Sequence, residues 1–140
     1  MKVFFDSNVI IDALSERKES FYSLNLVKKV ILGSIKGYLA TKQITDIYYV
    51  LKRYGFTSEE RVKLLKVITT HFQLLPTLSS DIKYSIEKYQ EGDFEDFVID
   101  NICKVNCCDY LVTSNTEDFE NSRNVVFAPK DLIAILEAGE

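Results

Sequence analysis

The stretch Val3-Phe4-Phe5-Asp6-Ser7-Asn8-Val9-Ile10-Ile11-Asp12 decides the fold. Val3 to Phe5 is a β-branched and aromatic run that reads as a buried strand, and it stops at a carboxylate followed by two turn-and-cap residues. After Asn8 the apolar residues resume at helical spacing, with Val9, Ile10, Ala13 and Leu14 able to share a face. The pattern is strand, Asp, Ser-Asn, helix. In an α/β sheet ligands bind at the carboxyl ends of strands, beside the N–H groups of the following helices, so Asp6 is the first candidate for chemistry. The plainer reading, that Asp6 only caps the helix, has equal standing on this stretch alone.

Working outward, strands and helices alternate. Ser15 to Ser20 is polar and reads as a connection. A helix is expected from about Glu19 to Ile35, with Phe21, Leu24, Val27, Ile31, Leu32 and Ile35 as its apolar stripe and with Gly33 and Gly37 bracketing its end. Tyr38-Leu39-Ala40 reads as a second strand, and Thr41 can cap a helix to about Tyr54 with Ile44, Ile47, Tyr48 and Leu51 inward. Gly55 ends it. Thr57-Ser58-Glu59-Glu60 is a capping box opening a helix with Val62, Leu65, Ile68 and Phe72 inward, and Phe72 to Leu75 reads as a third strand. Ser79-Ser80-Asp81 starts a helix to about Tyr89, broken by Glu91-Gly92. Asp93-Phe94-Glu95-Asp96 leads a helix lined by Phe94, Val98, Ile102 and Val105. Asp109 to Val112 and Val125 to Phe127 read as the last strands, and Pro129 opens a closing helix with Leu132, Ile133 and Leu136 inward and Gly139 after it. The expected fold class is α/β: a three-layer α/β/α sandwich with a central, mostly parallel sheet of about five short strands. Right-handed crossovers then bring every strand's carboxyl end to one edge.

Composition narrows the function. The 140 residues fit a single domain, 1–140, and 46% hydrophobic content supports a real core. There is no apolar run of the roughly 20 residues that a membrane span needs, and the chain opens directly into a strand, so a cytoplasmic protein without signal peptide is expected. Cys103, Cys107 and Cys108 crowd one segment without the paired spacing of a zinc site and read as reduced thiols. The single histidine, His71, near a helix end, reads as structural, which leaves little room for a Ser-His-Asp or Cys-His enzyme. A net charge of −4 argues against holding nucleic acid by bulk positive charge, but not against an enzyme that recruits phosphate through metal ions.

The shared sheet edge turns isolated acids into a set. Asp6 follows the first strand and Asp118 the fourth, Asp96 sits in the first turn of the helix leading into that fourth strand, and Asp46 is in the second turn of the helix after the second. Carboxylates about 5 Å apart, at an effective dielectric of about 20, repel by roughly 3 kcal/mol per ionised pair, so such a cluster must protonate, spread or hold cations. Oxygen ligands without His or Cys suit Mg²⁺ or Mn²⁺, and a divalent ion on carboxylates is an arrangement that hydrolyses phosphodiesters. Ser7, Asn8, Thr113, Ser114 and Asn115 add hydroxyl and amide groups that could orient the carboxylates or touch a phosphate. Against this, Asp93 and Asp96 have capping-box spacing, Asp46 with Gln43 and Val50 a turn away fits a solvated face as well as a cleft border, and Asp12, Asp81, Asp100, Asp109 and Asp131 read as solvated residues, caps or turn formers.

These residues resemble a known family. Phe5-Asp6-Ser7-Asn8-Val9, Ile44-Thr45-Asp46-Ile47-Tyr48-Tyr49-Val50-Leu51, Asp93-Phe94-Glu95-Asp96 and Val112-Thr113-Ser114-Asn115-Thr116-Glu117-Asp118-Phe119 together look like a PIN-domain (PilT N-terminus) ribonuclease, close to the VapC-like toxins of type II toxin–antitoxin systems. Each motif is loose alone; their order and separation are specific. The resemblance implies a parallel sheet flanked by helices and Mg²⁺- or Mn²⁺-dependent cleavage of RNA. It carries metal-ligand roles onto Asp6, Asp96 and Asp118 and a fourth acid onto Asp46, with Asp93 a fallback for Asp96. Asn115 also matches a family position that is Asn or Asp, so Asn115 and Asp118 compete to complete the site. The middle acid is usually Glu, and Asp46 is shorter by one methylene. Homodimers and a small antitoxin partner are implied as well.

Rival readings fit less well. A haloacid-dehalogenase-type phosphohydrolase wants a second Asp where Asn8 stands, and a phosphoacceptor receiver domain wants a mid-chain carboxylate in a strand and a late Lys. The main rival is a catalytically degenerate PIN-fold module that binds RNA or acts as a scaffold, with Asp46 as its symptom. Arg17, Lys18, Lys52, Arg53 and Arg123 are candidate phosphate contacts, for each of which a solvated surface is the simpler reading.

Overall fold

The computed structural model describes residues 1–16 and 20–139. Among them, strands β1 (Lys2–Phe5), β2 (Lys36–Ala40), β3 (Gln73–Leu75), β4 (Tyr110–Val112) and β5 (Val126–Phe127) form one sheet in the order β3-β2-β1-β4-β5, with every neighbouring pair parallel. The helices are α1 (Ser7–Ser15), α2 (Phe21–Ile31), α3 (Thr41–Lys52), α4 (Ser58–His71), α5 (Ser79–Lys88), α6 (Phe94–Val105) and α7 (Pro129–Ala138), and a 3₁₀ turn spans Thr116–Phe119. The expected three-layer α/β/α sandwich is present, and its sheet is wholly parallel. None of these helices is long and apolar enough to cross a membrane.

The strand period of two builds both faces at once. Val3, Phe5, Leu39 and Val112 join one core with Ile10, Leu26, Val30, Ile47, Leu51, Ile68 and Leu132, contributed by α1, α2, α3, α4 and α7. Phe4, Tyr38, Ala40, Leu75 and Leu111 point the other way, onto Val98, Ile99 and Ile102 of α6, with Ile82 of α5 packed alongside. Burial on both faces explains why β1 reads as a continuous apolar run. Phe4 and Phe5 are wholly buried, each worth on the order of 2 kcal/mol.

Several expectations need correction. The second helix starts at Phe21 and stops at Ile31, short of Ile35. Gly33 adopts φ +79°, and the Ser34 N–H reaches back to the Lys29 carbonyl at 2.9 Å, which closes the helix in a Schellman turn. The expected start at Glu19 falls outside the described residues, as do Arg17 and Lys18. The buried face of α2 is Ser23, Leu26, Val27 and Val30, whereas Phe21, Ile31 and Leu32 are exposed. Gly37 does not end a helix. It lies inside β2, where a Cβ would come within 2.7 Å of the Phe72 ring, so the close packing of that ring requires glycine.

At α3 the capping position is Ala40 rather than Thr41. The Thr57–Glu60 box forms as expected, with the Glu60 N–H on Thr57 Oγ1 at 3.1 Å and the Thr57 N–H on Glu60 Oε1 at 2.9 Å. In α4, Val62 is exposed and Arg61 is buried in its place, its guanidinium 4.1 Å from the Tyr48 ring centre and donating to the Tyr48 carbonyl at 3.1 Å. Phe94 and Val105, at the two ends of α6, are also exposed.

Candidate active site

The chain runs from β1 outward through β2 to β3, then crosses back to place β4 on the other side of β1. That reversal opens a crevice beyond the carboxyl ends of β1 and β4, where α/β folds bind ligands. Asp6 sits in it. Its backbone N–H bonds the Val112 carbonyl at 2.9 Å, and Thr113 Oγ1 donates to its Oδ2 at 2.8 Å, so the last residue of β4 fixes its main chain and the residue after β4 fixes its side chain. Asp6 is the residue preceding α1, yet its carboxylate makes no capping hydrogen bond there. It is 8% exposed. Burial raises its pKa, an effect that the Thr113 hydroxyl and the Ser7 and Asn8 N–H groups oppose and the charge of Asp118 reinforces.

A cleft of about 280 Å³ opens beside it, lined by acids from four places: Asp6, Asp46 of α3, Glu95 and Asp96 of α6, and Asp118 of the 3₁₀ turn. Asp96 is pushed up to about 7, by burial first and then by the charges of Asp6, Asp93, Asp118 and Glu95. The charge of Asp118 thus reaches Asp6, and the charges of both reach Asp96, as their placement at one sheet edge implies. Asp118 and Asp96 also line a second, adjoining cleft of about 620 Å³. Among the described residues no three acidic, His or Cys side chains are already drawn together tightly enough to enclose an ion. The donors are all oxygens, and among the described residues neither Asp6 nor Asp96 has a salt-bridge partner. An oxygen-only cluster in which five acids face one lysine fits a hard divalent cation that keeps some of its water.

The remaining residues fall into place around this centre. Asp93 spends its Oδ1 on the Asp96 N–H at 3.0 Å, capping α6, and it borders the larger cleft only. Thr113 also accepts from the Asn115 N–H at 3.1 Å, which folds the turn after β4. Asn8 accepts from the Ser114 N–H at 3.2 Å, and Ser114 Oγ donates to Asp12 at 3.0 Å, so α1 and that turn are laced together. Asn115 and Asp118 both line the smaller cleft, but only Asp118 adds charge to Asp6 and Asp96. Asp46 is at the cleft border with its side chain 46% exposed, 4.0 Å from Lys42 Nζ.

Two residues outside the expected set matter. Gln43 is 1% exposed: its Oε1 accepts the Ala40 N–H at 2.7 Å, and its Nε2 donates to the Phe5 carbonyl at 2.9 Å and Ser7 Oγ at 3.1 Å. One amide therefore welds the carboxyl ends of β1 and β2 directly beneath Asp6. Its signal was a Gln three residues beyond a helix cap, where the reciprocal half of a capping box stands. Lys42, which bridges Asp46 and Glu95 across the cleft, carries no comparable signal. Of the expected phosphate contacts, Arg123 is occupied with Asn101 Oδ1 at 3.0 Å and with the Tyr84 ring, and Lys52 and Arg53 are exposed at the far end of α3. His71 is the last residue of α4 and borders neither cleft.

Comparison with known proteins agrees with this geometry. A family model described as "PIN domain" matches residues 2–117. The chain is 27% identical over 124 residues to the Ribonuclease VapC1 of Aquifex aeolicus (strain VF5), an alignment covering 84% of this chain and 83% of that protein. Its fold is similar to that in the crystal structure of VapBC2 from Rickettsia felis bound to a promoter DNA fragment, with TM-score 0.68, 13% identity and coverage of 91% and 98% of the two chains. A toxin–antitoxin complex from Klebsiella pneumoniae gives TM-score 0.63, 20% identity and coverage of 91% and 97%. With its sheet order, its buried Asp6 and a match running over most of its length, the chain belongs to the PIN-domain family.

Proposed function

We propose that residues 1–140 act as a single domain that hydrolyses RNA phosphodiester bonds with Mg²⁺ or Mn²⁺, and that the protein is the toxin of a toxin–antitoxin pair, working in the cytoplasm as a homodimer restrained by a small antitoxin protein. The observation that carries this reading is the convergence of Asp6, Asp96 and Asp118 on one cleft at the β1–β4 crevice, where burial first and then the neighbouring carboxylate charges push Asp96 up to about 7. Family membership and the ribonuclease name of the Aquifex aeolicus relative supply the reaction class.

Asp6, Asp96 and Asp118 would hold the ion, with Asp46 reaching it through water. When bound, the ion supplies Lewis acidity at the phosphate and lowers the pKa of a water nucleophile. The chain's own residues prepare the place. Thr113 fixes the direction of the Asp6 carboxylate, and Gln43 keeps the strand ends that carry Asp6 and Ser7 at a constant separation. Asp96 holds a proton part of the time near neutrality and gives it up when positive charge enters the cluster. Ser7 and Asn8, at the start of α1, offer polar groups at the cleft wall for a phosphate oxygen.

The test is incubation of the purified protein with a mixed pool of structured and unstructured RNAs in Mg²⁺, in Mn²⁺ and in EDTA, alongside Asp6→Asn. Cleavage that needs metal and disappears in the variant supports the proposal. A second reading draws on Asp46, shorter than the family's Glu and already facing Lys42: a degenerate module would bind the RNA in every metal condition and cut none of it.

A further inference from the structure

An RNA strand entering the cleft must overcome the acids that line it. Bound metal answers for the scissile phosphate, but the flanking phosphates need cations of the protein's own. Among the described residues the cleft of about 280 Å³ has one cationic side chain in its lining, Lys42. It stands in the first turn of α3, opposite α6, with Nζ 4.0 Å from Asp46 Oδ2 and 3.9 Å from Glu95 Oε1. Both distances lie beyond hydrogen-bond range, so the ammonium is steered by two carboxylates without spending its donors on either. Its side chain is 28% exposed, and Glu95 on the far wall is 68% exposed, so the pair can part at little cost. Lys52, Arg53 and Arg123, by contrast, are absent from this lining.

We propose that Lys42 is the substrate-phosphate contact of the cleft: in the free protein its ammonium is parked between Asp46 and Glu95, and on RNA binding it moves to a non-bridging oxygen of a phosphate flanking the cleavage site. This rests on the ribonuclease reading above and gives Asp46 a second task, that of holding Lys42 over the cleft. Lys42 then serves binding rather than the chemical step. An exchange of one ammonium from carboxylates to phosphate has a distinct signature, because each phosphate contact on a single strand contributes about 0.7 to the log–log salt slope.

The experiment measures cleavage of a single-stranded oligoribonucleotide in Mn²⁺ over a series of salt concentrations, for wild type, Lys42→Gln, Lys42→Met and Lys42→Arg. The expected result is a KM raised about tenfold in the Gln and Met variants with kcat little changed, a salt slope smaller by about 0.7, and recovery of most of both in Lys42→Arg. The Mn²⁺-induced rise in melting temperature should be the same in all four proteins, which separates loss of RNA contact from loss of the metal site or the fold. An active wild type whose KM and salt slope do not change in Lys42→Gln and Lys42→Met would overturn the assignment and leave the ribonuclease reading standing. A wild type that neither cuts nor binds the RNA would overturn both.

Discussion

Two aspartates are buried near helix starts in this protein, and they differ in what surrounds them. Asp81, 4% exposed in the first turn of α5, has both oxygens matched: Oδ2 takes the Leu78 N–H at 2.8 Å and Oδ1 takes Asn101 Nδ2 at 3.0 Å. Asn101 in turn holds Arg123, whose guanidinium lies over the Tyr84 ring. Asp6, 8% exposed, has the Thr113 hydroxyl on Oδ2, backbone N–H groups nearby and the charge of Asp118 in its field. Burial is common to both. What separates a scaffold carboxylate from a reactive one is whether its charge is answered within the fold or left for something outside it.

The sharpest way to break this comparison is to neutralise each acid. Asp6→Asn keeps the shape and the Thr113 contact, so cleavage should fall on the order of a thousandfold, the several kcal/mol that a bound ion supplies, while the melting temperature at neutral pH holds or rises. Asp81→Ala should do the reverse: about 1–3 kcal/mol less stability in a urea melt, because the Leu78 N–H and the Asn101 amide lose their acceptor, with kcat of the remaining folded protein unchanged. Equal effects on activity would erase the distinction.

Protonation sharpens it further. The Asp96 pKa lies above the free value of 3.8, at about 7, so its folded form binds a proton more tightly than its unfolded form. The stability this confers is full below 3.8 and is lost as pH rises through about 7. In EDTA the wild type should therefore lose stability relative to Asp96→Asn across that window, by less than the whole displacement implies because the carboxylate keeps contact with solvent. Parallel melting curves would mean that neither burial nor the neighbouring acids raise the Asp96 carboxyl. The smallest effect is expected at Asp46. With its side chain half exposed and paired at 4.0 Å to Lys42, Asp46→Ala should change the cleavage rate about fivefold or less.

Much of the fold was legible because its signals are local. Val3-Phe4-Phe5 followed by Asp6-Ser7-Asn8 specifies a buried strand and a helix start within a few residues, and the Thr57–Glu60 box needs only its own four. The sheet edge and the meeting of Asp6, Asp96 and Asp118 then follow from chirality of connection. The misreadings are of features set from a distance. In α2 two apolar faces compete, and packing against α1 and α7 chose Leu26 and Val30 over Phe21, Ile31 and Leu32. Gly37 resembles a helix stop, yet its reason is the ring of Phe72, distant in sequence and on the far side of α4. Lys42 and Gln43 are ordinary residues for a helix's first turn. Only the docking of α3 against α1, β2 and α4 makes Gln43 a brace and Lys42 the cleft's cation.

The most direct measurement is calorimetric titration of Mn²⁺ into the metal-free wild type, Asp6→Asn and Asp81→Asn. An unanswered charge cluster around Asp6 predicts saturable binding by wild type and by Asp81→Asn, and its loss in Asp6→Asn. Binding by Asp6→Asn as tight as that of wild type, or none by wild type, would contradict it.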